Sequence, residues 1–412
     1  MTELFNALTI KNAREVVAQH LTTRSAVKVP LLESLGRRLA AAVRAPEDVP
    51  GFDRSTVDGY AVRARDTFGA TESMPAYVDI TGEVLMGQAP REALKTGQAW
   101  RIATGGMLPP GADAVVMVEY TEELDERTIG VTRPVAPGDN VVRRGEDIGA
   151  GEVALAAGQR IRPQDMGLLA AIGVMEVPVL QAPKVGIIST GDELVAPAEK
   201  PAAGQVRDIN SYALYGAVQG CGGLPRLYGI VRDVYADLAK VLRQALQEND
   251  IVLLSGGSSV GARDVAARAI ESLAEPGVLF HGIAVKPGKP TVGAVVDGKP
   301  VFGLPGHPTS ALVIFDLLVA PLVREGCYPS EGEGESLDYP LRAVITRNLH
   351  SAAGRDDFVR VKLSNQNGQL YAEPVLGKSG LIGTMVKADG LVHIPAGKEG
   401  VEAGELVAAK LF

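Results

Sequence analysis

The stretch from Asp250 to Ser310 holds the densest set of groups suited to binding an anion. It reads DIVLLSGGSSVGARD, then VKPGKPTVG, then VFGLPGHPTSAL. The loop Ser255-Gly256-Gly257-Ser258-Ser259, continuing to Gly261, follows an apolar run. Its glycines leave backbone N–H groups open to close approach, so it can wrap a phosphate or another oxyanion. Lys286 and Lys289 add positive charge, and Pro305, Gly306 and Pro308 make a stiff turn ahead of an apolar helix expected over residues 311–322. Glu193, Asp233 and Asp264 are carboxylates of the same region. Each alone suits a helix cap or first turn, and Asp233 directly precedes a helical pattern it is placed to cap. As a group facing phosphate they suit Mg2+, which takes oxygen ligands and bridges phosphates. His307 has no second His or Cys at ligand spacing, so it is expected at a polar rim and not on a metal. His20, His281, His350 and His393 are isolated and receive no role.

A repeating strand–helix order must position these groups. Residues 184–189, 227–231, 250–254, 278–285, 291–296 and 300–304 read as strands, and residues 211–219, 234–247 and 264–273 as helices. Apolar residues at 234, 238, 241, 242, 245 and 246 fall on one helix face. Asp297-Gly298 predicts a hairpin. The order βαβα predicts a doubly wound, mostly parallel sheet with helices on both faces, over residues 182–328. Ligands bind beyond the C-terminal ends of such strands, where Asp192, Glu193, Asp233, the glycine loop and Asp264 fall.

Elsewhere the pattern changes. Residues 45–145 carry frequent turn signals between short β-type runs and predict a small inserted β domain. Its flanks, 1–44 and 146–181, predict an extended linking domain with helices over residues 12–20, 31–39 and from Pro163 to Gly173. Residues 329–336 form an acidic linker, and 337–412 read as a C-terminal β-barrel-like domain. A Walker P-loop, a GxGxxG fingerprint and a Gly-x-Ser-x-Gly elbow are all missing.

Composition narrows the class. A formal net charge of −8 removes a global nucleic-acid footprint. The two cysteines lack metal-site spacing and fit a reducing compartment. The N-terminus carries no signal-peptide core and no apolar run reaches the roughly 18 residues of a membrane span, so a cytoplasmic location is expected.

The segments DRSTVDGYAVR, RIATGGMLPPGADAVV, RRGEDI, STGDEL, SGGSSVGARD, VKPGKP and GLPGHPTSA occur in that order. Together they resemble the molybdopterin molybdenumtransferase family, the MoeA proteins and the E domain of gephyrin, from about residue 10 to the C-terminus. The resemblance implies a molybdopterin-binding-like α/β domain in a four-domain homodimer. It implies insertion of molybdate into adenylylated molybdopterin with release of AMP, and contact with a molybdopterin adenylyltransferase. It implies a cleft between the α/β domain of one subunit and the β domain of the other. By matching position, Asp58, Thr104, Asp147, Glu193, Asp233 and Asp264 correspond to the family's functional polar residues, with Asp233 and Asp264 expected on Mg2+. Lys286, Lys289 and Ser310, with Arg355 and Ser379, resemble its molybdate-binding positions. Ser258, Gly282 and His307 depart from the common pattern at the anion pocket, which keeps tungstate open as the substrate. A non-catalytic pterin-binding scaffold and an adenylyltransferase are the other readings.

Overall fold

A computed structural model describes residues 7–256, 262–273, 275–328 and 339–412, without the side chains of residues 262–264 and 267. The acidic linker, Gly257, Ser258, Ser259 and Gly261 lie outside the described residues. The chain forms two compact units, Met1–Ser25 with Gln181–Phe412, and Ala26–Leu180.

The first unit contains the α/β domain. Its six-stranded sheet runs in the order Leu224–Val231, Lys184–Thr190, Ile251–Gly256, Lys299–Leu304, Val292–Val296, Pro276–His281. The first four strands are parallel, and the last two complete an antiparallel edge. The hairpin at Asp297-Gly298 has positive φ at both residues, +50° and +75°, as a type I′ turn requires. Buried on both faces, the strands alternate between two cores. Ile251 and Leu253 pack with Leu214 and Val218 of the helix Asn210–Gly220. Val252 and Leu254 pack with Leu238 and Leu242 of the helix Tyr235–Glu248.

The helix expected over residues 311–322 is instead broken. It comprises Pro308–Ile314, a π-helical turn Phe315–Val319, and Ala320–Glu325. The wider turn frees carbonyls, which other side chains take up. Arg14 donates to the Leu317 carbonyl at 3.0 and 2.7 Å, and the Tyr328 hydroxyl to that of Leu318 at 2.8 Å. Asp316 in the same turn receives Lys410 at 2.9 and 3.0 Å.

Lys410 belongs to the C-terminal domain. There the strands Asp356–Gln366, Gln369–Pro374, Leu341–Ile345, Leu406–Leu411 and Gly390–Ile394 are neighbours in that order. The last pairs back onto the first, so the barrel is closed.

Residues 1–44 do not stay together. The helix Ile10–Ala18 buries Ile10, Ala13 and Val17 in the α/β core, so the first 25 residues leave the linking domain, as does Gln181. In the second unit, Leu31, Leu39 and Val43 share a core with Leu155, Leu169 and Val177 from beyond the β insert. The helix expected over residues 31–39 is only the 3-10 turn Leu31–Glu33. Ser34 turns its hydroxyl back onto the Leu31 carbonyl at 2.7 Å, and Gly36 takes a left-handed φ of +73°, which ends helical propagation. The inserted domain is a six-stranded sheet in the order Ala114–Met117, Gly59–Val62, Gln98–Ile102, Ala76–Glu83, Thr128–Val131, Thr121–Glu123.

Candidate functional site

The parallel strands deliver polar residues to their C-terminal ends. Thr190 ends one strand and Ser255-Gly256 the next, while Asp233 and Gly306 follow two others. These residues, with Glu193, Asp208, Asn210, His307 and Pro308, line a cleft of about 410 Å³, and Gly380 of the barrel joins its rim. Gly256 is required where it stands. Its φ is +124°, and a Cβ there would lie 1.8 Å from the Thr190 carbonyl oxygen.

Asp233 does not cap its helix. Val234 holds the capping position, and Asp233 Oδ1 instead accepts the Thr190 hydroxyl at 2.6 Å. Val234 is extended, with φ −106° and ψ 121°, which leaves Asp233 one residue before the cap, and the nearby Thr190 hydroxyl takes its carboxylate. Glu193 lies on the exposed side of the same cleft. Asp264 starts the helix Ala262–Glu271, and its side chain is outside the description.

Sequence reasoning passed over Asp208 and Asn210. Asp208 is 4% exposed and receives the Ser211 amide at 3.2 Å and the Ser211 hydroxyl. Ser189 donates in turn to Ser211 at 3.2 Å. Asn210 Nδ2 donates to Ser255 Oγ and to the Gly306 carbonyl, both at 2.8 Å. The carbonyl only accepts, so it fixes which end of the amide is nitrogen. Asn210 thereby ties the strand end that opens the glycine loop to the turn before the helix Pro308–Ile314. Its buried Oδ1 has no partner among the described residues. The run Asp-Ile-Asn-Ser before an apolar pattern reads as an ordinary helix start, which hid these roles.

A cationic group stands on the barrel side. Asp357, 3% exposed, takes Arg355 Nε at 2.9 Å and lies 3.5 Å from Lys286 Nζ. Strand pairing sets this, since Lys286 and Asp357 are register partners. The glycine between Lys286 and Lys289 has a packing reason. A Cβ on Gly288 would fall 2.4 Å from Ile314 Cδ1, so the KPGKP turn lies against the helix Pro308–Ile314 that carries Ser310. Lys289 is exposed, and Pro305 and Ser310 are buried. Ser379 contacts the start of that helix, its carbonyl accepting the Thr309 hydroxyl at 2.6 Å.

In the inserted domain, Asp58 and Thr104 meet. Asp58 Oδ1 accepts the Thr104 amide at 2.7 Å and its hydroxyl at 2.9 Å. These donors, the amide first, hold the Asp58 carboxyl below the usual aspartate range. Asp147 is exposed on a neighbouring loop. That loop is braced by Asp48, which receives the Ala150 amide at 2.8 Å and Arg144 Nε at 2.6 Å.

This arrangement matches known proteins along the whole chain. Residues 8–173 match the MoeA N-terminal region (domains I and II), residues 186–325 a probable molybdopterin-binding domain, and residues 342–412 the MoeA C-terminal region (domain IV). A putative molybdopterin biosynthesis protein of Methanocaldococcus jannaschii is 36% identical over 98% of this chain and 97% of its own. The chain belongs to the MoeA family. The molybdopterin molybdenumtransferase of Bacillus subtilis is 34% identical over 93% of this chain and 89% of its own. A crystal structure of a molybdopterin biosynthesis MoeA protein of Pyrococcus horikoshii aligns with a TM-score of 0.81 at 39% identity, covering 98% of this chain and 99% of that one. Its relatives place the MoeA chain among enzymes of the molybdenumtransferase class. No helix among the described residues is long and apolar enough to cross a membrane.

Proposed function

We propose that the protein acts in molybdenum cofactor biosynthesis, inserting molybdate into adenylylated molybdopterin with release of AMP in an Mg2+-dependent reaction. The observation that carries the reading is a polar cleft at the strand ends of a chain related over its whole length to molybdenumtransferases. By its sequence the glycine loop that follows the strand Ile251–Gly256, outside the described residues, suits phosphate, and Lys286, Lys289, Arg355, Ser310 and Ser379 suit a tetrahedral dianion through cationic and hydroxyl donors.

The donor set fits Mg2+ in its phosphate-bridging mode. Among the described residues no group of three or more His, Cys, Asp or Glu is poised to hold a metal. Mg2+ bound with substrate phosphates needs only one or two carboxylates and keeps its waters. Asp233, oriented by Thr190, would supply one carboxylate; the expected second, Asp264, has its side chain outside the described residues. Bound there, Mg2+ would neutralise the phosphates and polarise the bond to AMP. Glu193 and Asp208 keep the pocket acidic around it, and Asn210 holds the two loops that face the phosphates.

The proposal extends to a cytoplasmic homodimer in which Asp58, Thr104 and Asp147 of one subunit complete the cleft of the other, and to transfer of substrate from an adenylyltransferase. The test is AMP release from adenylylated molybdopterin with Mg2+, with molybdate and tungstate in parallel. Release with molybdate is expected. Release with tungstate alone would change the substrate. Bound pterin without release under either oxyanion would favour a scaffold, and formation of adenylylated pterin from ATP an adenylyltransferase.

A further inference from the structure

One hydrogen bond at the cleft rim has an adjustable proton. His307 Nδ1 lies 2.8 Å from Ser379 Oγ. The Ser379 backbone is already fixed, because its carbonyl accepts the Thr309 amide at 3.2 Å and the Thr309 hydroxyl at 2.6 Å. His307 lines the cleft and its ring lies against Gly380, where a Cβ would stand 3.7 Å from Cδ2. The Ser379 hydroxyl proton is therefore the variable at this contact.

Its direction depends on the ring. When neutral imidazole carries its proton on Nε2, Nδ1 accepts the Ser379 O–H, and the hydroxyl is committed to the ring. When both ring nitrogens are protonated, Nδ1–H donates to Ser379 Oγ, and the O–H must turn elsewhere. A neutral ring protonated on Nδ1 also frees the hydroxyl, but it brings no charge. Only the imidazolium supplies a free O–H donor and a cation together, and both favour an anion. Among the described residues, Glu193, Arg207, Asp208 and Asp233 of the α/β domain line the cleft with it, and Lys378 precedes Ser379 in the chain. Asp208 and Asp233 already accept hydroxyls of their own, from Ser211 and Thr190, and Arg207 Nε donates to the Pro197 and Glu199 carbonyls.

We propose that His307 is a positioning residue for a tetrahedral oxyanion: it takes up a proton from solvent as the anion binds and turns the Ser379 hydroxyl toward it. Naming the anion as molybdate or a substrate phosphate rests on the function proposed above. The proton stays on the imidazole, and no covalent bond changes.

The experiment is titration calorimetry of the full chain with molybdate, and separately with AMP, in buffers of different ionisation enthalpy from about pH 6 to 8.5. Binding of one of these ligands is expected to take up a proton. Its affinity should rise as pH falls, by at most about tenfold per pH unit, the limit for one linked proton. His307→Asn and His307→Gln should lose the uptake and bind within about twofold across that range, while Ser379→Ala should weaken binding about tenfold at the acid end. Uptake with AMP and not with molybdate would make a phosphate the anion. Equal uptake in wild type and both His307 variants would overturn the proposal, as would a Ser379→Ala profile equal to wild type or no binding of either ligand. AMP release without linked uptake would remove this inference and leave the enzyme. Uptake without AMP release would do the reverse.

Discussion

Two aspartate–threonine pairs, one in each unit, use the same bond in different settings. In the inserted domain Asp58 takes both the amide and the hydroxyl of Thr104 on one carboxylate oxygen. In the α/β domain Asp233 takes the Thr190 hydroxyl alone. The first pair stands exposed at a loop and is held largely by backbone. The second is half-buried at a strand end and depends on one side chain. Among the described residues, each leaves Oδ2 without a hydrogen-bond donor. The difference shows what each pair is built for. Asp58 is fixed whether or not Thr104 keeps its hydroxyl, whereas Asp233 is aimed by Thr190 and by nothing else in the described cleft.

Breaking each pair should separate them. Asp233→Ala is expected to lower AMP release roughly 100- to 1,000-fold, with Asp58→Ala smaller, roughly 10- to 100-fold. Both should keep a thermal midpoint within about 2 °C of wild type, since neither carboxylate is buried in a core. Equal losses would erase the contrast. Next in size, Thr190→Val should cost about tenfold in rate, against a change of no more than about threefold for Thr104→Val, because the Thr104 amide remains. The smallest effect is a titration. A carboxyl whose pKa is depressed in the folded state adds stability above its unfolded pKa, and that contribution is lost as pH falls through the folded value. Asp58 should accordingly stay ionised to lower pH than an ordinary aspartate. In Thr104→Val its carboxyl carbon, followed by NMR, should shift only part of the way back. A full return would mean that the hydroxyl, not the amide, holds it.

The sequence showed the α/β core clearly, because strands buried on both faces must be short apolar runs and their connections must turn on Gly, Asp and Ser. The runs at Lys184–Thr190 and Ile251–Gly256 therefore appeared with their loops, and so did the cleft position of Asp233. What stayed hidden depends on partners far along the chain. Asp357 looks like a surface residue until strand pairing sets it beside Lys286. Asn210 looks like a helix start until Ser255 and Gly306 come to it. Residues 31–39 carry a helical spacing that Ser34 and Gly36 overrule locally. The π-turn at Phe315–Val319 has one local mark, Pro321, whose missing N–H frees the Leu317 carbonyl, but the groups that take the freed carbonyls, Arg14 and Tyr328, come from outside it.

The proposed molybdenumtransferase site takes Asp58 from one subunit of a homodimer and Asp233 from the other. Mixing the impaired Asp58→Ala and Asp233→Ala proteins under conditions that exchange subunits, with AMP release as the readout, tests this. A shared site predicts recovery of about a quarter of wild-type activity, because half the dimers are mixed and each holds one intact site. No recovery, with mixed dimers demonstrated by co-purification of differently tagged subunits, would contradict it.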